Sequence, residues 1–204
     1  LESTIAGEIT QPTLRFYTWS TPSISIGRCQ LIREDSDREE CKKGNIPVVR
    51  RPTGGRAVFH DKELTYSVIL PAGHPLTQKG VQTSYCALSN AFVTGLNKLG
   101  VNATLEKQST GNKQYPDEIS CFASTVKYEV TLNHSKIIGS AQFRKKGAFL
   151  QQGSILLSSS PSTESYFKNN SNPQIGIENI INKKVDLKKL EKALIEGFKE
   201  NLSI

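Results

Sequence analysis

Residues 50–69, RRPTGGRAVFHDKELTYSVI, constrain the fold more than any other stretch of this chain. Apolar runs stand on both sides of a Pro-Thr-Gly-Gly turn, which predicts strand, loop, strand and sets the loop at the rim of a sheet. Gly54 and Gly55 can reach dihedrals closed to other residues and let a backbone approach a ligand closely. Most Gly-Gly pairs mark ordinary hairpin turns. Here Arg50, Arg51 and Arg56 flank the pair, and guanidiniums beside a glycine turn suit recognition of an anion.

The remaining periodicities place this motif in an α+β domain. Leu64, Tyr66, Val68 and Leu70 alternate with Thr65, Ser67 and Ile69 in a strand that stops at Pro71. Residues 14–19 and 23–26 read as strands joined by a Ser-Thr-Pro turn, and residues 47–50 as a brief strand leading into the glycine loop. Residues 32–43 are charged and end at Gly44, as a short exposed helix does. Val81, Tyr85, Leu88, Phe92, Leu96 and Leu99 recur at spacings of three and four, predicting a helix over 81–99 capped by Gly100. Residues 103–108 read as a strand and 109–118 as a surface loop. Residues 128–132, 136–143 and 149–157 are three further strands, turned at Asn133-His134 and at 145–147. An irregular Asn- and Pro-rich segment precedes an amphipathic helix carrying Leu187, Leu190, Leu194, Phe198 and Leu202. Short hairpins dominate, so the sheet is expected to be mainly antiparallel with packing helices rather than doubly wound and parallel. The 204 residues suit one cored domain whose residues 174–204 form a C-terminal helical segment.

Composition removes several classes. No apolar run approaches the roughly 20 residues of a membrane span, and the N-terminus lacks the pattern of a signal peptide, so a cytoplasmic protein with no membrane partner is expected. Cys29, Cys41, Cys86 and Cys121 form no CxxC pair, which disfavours a structural zinc site and points to reduced thiols. The net charge of +7 favours acidic partners. Nucleic acid is disfavoured, because the lysines are scattered and no aromatic-basic interleaving is present. An acidic protein fits. A monomer is the default expectation. The chain contains no methionine and begins at Leu1, so further N-terminal structure is expected ahead of it.

Chemistry is expected at Cys121, which follows a polar loop, although most cysteines are small buried hydrophobes. A reactive thiolate needs a nearby cation, and Lys136, fifteen residues on across a turn, is the candidate. Lys136 opens the run KIIGSAQ, where Gly139, Ser140 and Ala141 are small residues in a strand; Gly153 and Ser154 repeat the feature on the next strand. Such gaps mark a bulge, tight packing, or a groove with an apolar floor that suits an acyl chain better than a base. His60 and Asp61 form a pair that is more often a turn or cap than an acid-base couple. No HExxH, Walker-type loop or GxSxG elbow is present.

Taken together, RRPTGGRAVFHDKELTYSV, then SCF with YEV, then SKIIGSAQFRKKGAFLQQGSILL resemble the biotin/lipoate protein ligase superfamily. That group holds lipoate-protein ligases, octanoyltransferases and, more distantly, biotin-protein ligases. The resemblance runs from about Leu14 to Leu157 and more weakly through the C-terminal helix. Within it the chain is most similar to the cysteine-dependent octanoyltransferases of Gram-positive bacteria. Arg56 follows the Gly-Gly pair where ligases with this motif carry a third glycine, and Cys121-Phe122 stands at the acyl-accepting cysteine of that type. Lys136 matches the lysine held to lower the thiol pKa. The chain also ends after one domain, whereas many ligases append another. In FASTVKYE the proline common near Thr125 is missing, Gln152 stands where a histidine is common, and the family's opening strand and helix are expected ahead of Leu1.

The resemblance implies a biotin/lipoate-protein-ligase-like, class II synthetase-like catalytic domain. It implies transfer of an octanoyl group from acyl carrier protein to a lysine of a lipoyl domain, such as that of glycine cleavage H protein, through a thioester on Cys121. Lys136 would assist, and no cofactor, ATP or metal would be needed. Arg50, Arg51, Gly54, Gly55, Arg56, Ala57, His60, Gly139, Ser140, Ala141, Gly153 and Ser154 are the substrate-binding candidates, with the arginines either meeting acidic carriers or bracing the loop. An ATP-dependent lipoate ligase, an amidotransferase between lipoyl proteins and a non-catalytic binding module are the alternatives.

Overall fold

The computed structural model describes residues 1–30, 38–106, 128–160, 166 and 174–202. Its largest sheet is built on the alternating strand of the central motif, β5 (Glu63–Leu70), which pairs antiparallel with β1 (Thr13–Tyr17) and β10 (Ala148–Leu156). β9 (Ile138–Lys145) closes the far edge, giving the order β1-β5-β10-β9. Alternation divides β5 between two faces. Leu64, Tyr66, Val68 and Leu70 are all fully buried against two helices, α3 (Val81–Lys98) and α5 (Leu187–Leu202). Thr65 and Glu63 face the opposite way, toward the candidate site.

The helices close the core through two residues that weaken helices. Glycine in a helix interior costs about 1 kcal/mol relative to alanine, yet Gly95 and Gly197 occupy the interiors of α3 and α5. A Cβ on Gly197 would meet the Ala91 carbonyl oxygen and lie 2.6 Å from the Gly95 nitrogen; one on Gly95 would lie 2.7 Å from Leu194 Cα. The two glycines let the helices cross at backbone contact, and Phe92 meets Phe198 edge-on beside them at 4.9 Å between centroids.

β2 (Ser23–Ile26) is the centre of a second sheet, parallel to β3 (Val48–Arg50) and antiparallel to β4 (Val58–His60). Ile24, Ile26, Ala57 and Phe59 make a satellite core there with Cys41 of α2 (Arg38–Lys43). A third sheet joins β6 (Thr104–Leu105), β7 (Val130–Leu132) and β8 (Ser135–Lys136). A short helix, α1 (Glu2–Ile5), opens the chain. The architecture is thus α+β and mainly antiparallel, with β2–β3 as its one parallel pair among the described residues.

Three expectations are corrected. The single strand expected over 136–143 changes partner at the fully buried Ile137, because β7 and β10 belong to different sheets. Ile137 donates its N–H to the Val130 carbonyl on one side and accepts from Leu156 N–H on the other. The strand expected over 103–108 is regular only at Thr104–Leu105, and residues 107–108 lie outside the described part, as do 32–37 of the charged helix. The Asn-rich segment contains a helix, α4 (Ile177–Ile181), capped at its start by Gly176 N–H donating to Asn179 Oδ1 and at its end by Asn182 at φ 51°. Among the described residues no helix is long and apolar enough to cross a membrane.

Candidate active site

The antiparallel register brings the small residues of three strands side by side. Tyr17, Thr65, Ser154 and Gly139 stand abreast across β1, β5, β10 and β9, and Arg15, Ser67, Gln152 and Ala141 form the next row. Over them lies a cavity of about 220 Å³. Its floor is Thr65, Gly139, Ser140, Ala141, Gln152, Gly153 and Ser154; its walls are Tyr17, Trp19, Val49, Pro52, Val58 and His60, with Ser25, Arg51 and Gly55. The apolar floor expected for the groove is therefore corrected: the floor is small and polar, and the apolar surface is on the walls. Tight packing contributes as well, since a Cβ on Gly153 would collide with the Gly139 carbonyl and lie 2.8 Å from Tyr66 Cε1.

The glycine loop forms one wall, held there by its arginines. Arg50 Nη1 donates to the carbonyls of Gly27 (2.8 Å), Arg28 (3.0 Å) and Gln30 (2.8 Å). Arg51 Nη1 donates to the Ser25 carbonyl (2.8 Å) and Ser25 Oγ (3.1 Å), and its Nη2 to the carbonyls of Gly54 (2.9 Å) and Arg56 (2.5 Å). Guanidiniums occupied by backbone oxygens brace the loop. Of the two roles open to Arg50 and Arg51, bracing is the one the geometry displays. Gly55 takes φ 87°, and a Cβ on Gly27 would collide with the Gly55 carbonyl, so Gly27 seats the loop on β2. Arg50, Gly54, Arg56 and Ala57 do not line the cavity; Ala57 is fully buried in the satellite core.

His60 has a different partner from the one its neighbour in sequence suggests. Its Nδ1 lies 2.6 Å from Glu63 Oε1 and its Nε2 2.7 Å from Ser25 Oγ, while Asp61 accepts from Ser160 Oγ at 2.8 Å. Thr65 Oγ1 donates to the same Glu63 oxygen at 2.5 Å and accepts from Trp19 Nε1 at 2.8 Å. Trp19 stacks on the His60 ring, 4.2 Å between centroids and 15° between planes. His60 and Glu63 are both buried.

Beneath the floor, Tyr66 donates to Ser140 Oγ at 2.6 Å and accepts from Gln151 Nε2 at 3.0 Å. Burial pushes its phenol up from the ordinary 10.0 to about 12, with the hydrogen bonds to Ser140 and Gln151 pulling the other way. A phenol whose folded value is raised contributes stability in full below the unfolded value and loses it as pH rises through the folded one. The free energy of unfolding is therefore expected to fall by about 2–3 kcal/mol more between pH 10 and 12 in this chain than in Tyr66→Phe, from 1.36 kcal/mol per unit. Equal losses in urea titrations of the two proteins would refute the assignment.

Lys136 lies on β8 and does not line the cavity. Its ammonium is ion-paired with Glu129 at 2.5 Å, the side chains being 6% and 2% exposed. Register explains the pair: Lys136 opposes Thr131, and Glu129, two residues earlier, is its diagonal neighbour. Cys121 lies outside the described residues, and so does its expected meeting with Lys136. Cys41 is buried in the satellite core and Cys86 half-buried on α3. Among the described residues no cluster of His, Cys, Asp or Glu has the makings of a metal site.

Sequence reasoning missed Ser25, Trp19, Glu63 and Glu129. A signal existed for Glu63: it shares the phase of Thr65 rather than that of Leu64 and Tyr66, which puts an acid on the site face of β5.

The family profile described as lipoyl protein ligase A/B catalytic domain matches residues 1–200. Curated relatives named octanoyltransferase LipM include that of Clostridioides difficile, 39% identical over 95% of this chain and 76% of its own length. That of Bacillus subtilis is 37% identical over 95% of this chain and 76% of its own. Among solved structures, a lipoate-protein ligase A bound with ATP superposes with a TM-score of 0.79 at 26% identity, covering 99% of this chain and 78% of that one. A T. acidophilum protein with bound lipoic acid superposes at 0.78, also 26% identical over 99% and 78%. With its antiparallel sheets, its braced glycine loop and a match over nearly its whole length, this chain belongs to the lipoyl protein ligase A/B catalytic domain family.

Proposed function

We propose that this chain is an octanoyltransferase of lipoate biosynthesis that carries the octanoyl group from octanoyl-acyl carrier protein to a lysine of a lipoyl domain, such as that of glycine cleavage H protein. The observation that carries the reading is the cavity. At about 220 Å³ it falls below the roughly 300–1,000 Å³ of sites for drug-sized ligands, and its floor of small residues between apolar walls suits a single unbranched chain. The named octanoyltransferases among the relatives point the same way.

In this reading Cys121 is the nucleophile. Its thiolate attacks the carrier thioester, the carrier thiol leaves, and the octanoyl group rests on the enzyme. The acceptor amine then attacks that carbonyl, the C–S bond breaks and an amide forms. Exchange of one thioester for another is close to isoenergetic and the amide is downhill, so the sequence needs neither ATP nor a metal. Lys136 is assigned the support of the thiolate. The net charge of +7 suits acidic carrier proteins.

Incubation with octanoyl-acyl carrier protein in the absence of ATP, followed by intact mass spectrometry, is expected to show an octanoyl adduct that Cys121→Ser lacks. The likeness to a ligase bound with ATP supports a second reading. Modification of a lipoyl domain only when lipoate and ATP are both supplied, with no adduct, would establish that reading instead.

A further inference from the structure

The polar groups on one wall of the cavity form a hydrogen-bonded chain whose two ends, Arg51 and Trp19, can only donate. Arginine and tryptophan side chains only donate. Arg51 Nη1 donates to Ser25 Oγ at 3.1 Å, the Ser25 hydroxyl keeps its own proton, and His60 Nε2 at 2.7 Å is within reach to accept it. With Nε2 accepting, Nδ1 carries the imidazole proton and donates it to Glu63 Oε1 at 2.6 Å. From the other end, Trp19 Nε1 donates to Thr65 Oγ1, whose proton goes to the same Glu63 oxygen. These hydrogen bonds run toward Glu63, and Ser154 Oγ lies 3.5 Å from His60 Nδ1 beside them. The second Glu63 oxygen, Oε2, is buried without a hydrogen-bond partner among the described residues.

In that arrangement His60 Nε2 stands behind Ser25, a residue that lines the cavity, and the buried Glu63 carboxyl stands behind the imidazole. Serine, histidine and a carboxylate in this sequence move protons. The reaction has such a proton: the acceptor lysine arrives as an ammonium and attacks only as the amine.

We infer that Ser25, His60 and Glu63 form the relay that takes this proton, with Ser25 meeting the amine and Glu63 acting through His60 as a positioning residue. The inference rests on the acyl-enzyme reading. An ammonium proton passes to Ser25 Oγ as the Ser25 proton passes to His60 Nε2. The freed nitrogen bonds to the octanoyl carbonyl carbon, and the carbon–sulfur bond breaks. The remaining surplus proton on nitrogen goes to the departing thiolate, giving amide and thiol, and His60 returns its proton to water. Trp19, stacked on the ring, holds its plane and lies against the imidazolium face.

The test compares two nucleophiles discharging the isolated octanoyl-enzyme at pH 7: a lipoyl domain, whose lysine must lose a proton first, and hydroxylamine, which is already neutral. In Glu63→Gln the amide oxygen can keep both donors, His60 Nδ1–H and Thr65 Oγ1–H, but the negative charge behind the imidazole is gone, so His60 is a weaker proton acceptor. Discharge to the lipoyl domain is expected to fall about 100-fold more than discharge to hydroxylamine, within the range of general acid–base contributions. Ser25→Ala should show the same selective loss and decides the matter alone if Glu63→Gln does not fold. Octanoyl-enzyme that both nucleophiles discharge with equal losses, or with none, overturns the relay while leaving the transferase standing. Failure of the unsubstituted chain to form any adduct overturns both.

Discussion

Lys136→Ala is expected to lower the free energy of unfolding by about 3–5 kcal/mol, the usual cost of removing one member of a buried ion pair. Glu129 is 2% exposed and would lose the ammonium 2.5 Å away. Replacing both residues by apolar ones of similar size should recover most of that loss, because the pair's own desolvation disappears with it. Urea unfolding of the two variants checks this directly; a loss below about 1 kcal/mol in the single variant would mean the pair is solvated in the native protein. The same variant tests a second idea. If titration of the Cys121 thiol by alkylation is unmoved in Lys136→Ala, the lysine does not activate the thiol, and its work is to hold Glu129 in the small sheet.

Ala141→Phe is expected to reduce octanoyl transfer about 100-fold while leaving butyryl transfer within about threefold. Ala141 lines the floor beside Gln152 and carries only a methyl group. A phenyl ring there displaces roughly three or four methylenes of an eight-carbon chain, at about 0.8 kcal/mol each, and each 1.4 kcal/mol is tenfold. kcat/KM measured with octanoyl- and butyryl-acyl carrier protein gives the ratio. Equal losses on both chains would show that the acyl group lies elsewhere.

The elements with a strong period were legible in the sequence. β5 ends at Leu70, before Pro71, and the stripe of Leu190, Leu194 and Phe198 is the buried face of α5. Both turns expected between strands occur, with positive φ at Asn133, His134, Lys146 and Gly147. The small residues of β9 and β10 were legible as a gap because nothing in strand propensity favours them there. What was not legible depends on non-adjacent chain. Asp61 drew attention because it adjoins His60, yet it stands in the bend after β4 and accepts from Ser160, and the acid that reaches the ring is Glu63 beyond the bend. Ser25 lies 35 residues from His60 and is brought to it only by the β2–β4 pairing, which places it beside that strand. Gly95 and Gly197 read as blemishes in two helices until the helices are crossed. Ile137 belongs to an unbroken apolar pattern, and only the existence of two partner strands in two sheets shows why the strand divides there.

The clamping of the glycine loop bears on how sharply chain length can be told apart. Arg50 and Arg51 hold that wall by hydrogen bonds formed when the protein folds, so nothing in it has to be ordered when a ligand arrives. A pliable wall would settle around a short chain and bind it nearly as well as a long one. A clamped wall cannot follow, so a short chain leaves a void at its tip, and voids in rigid surroundings cost about 24 cal/mol per Å³. If the acyl group occupies this cavity, the guanidiniums that hold its wall would act as the ruler of its length.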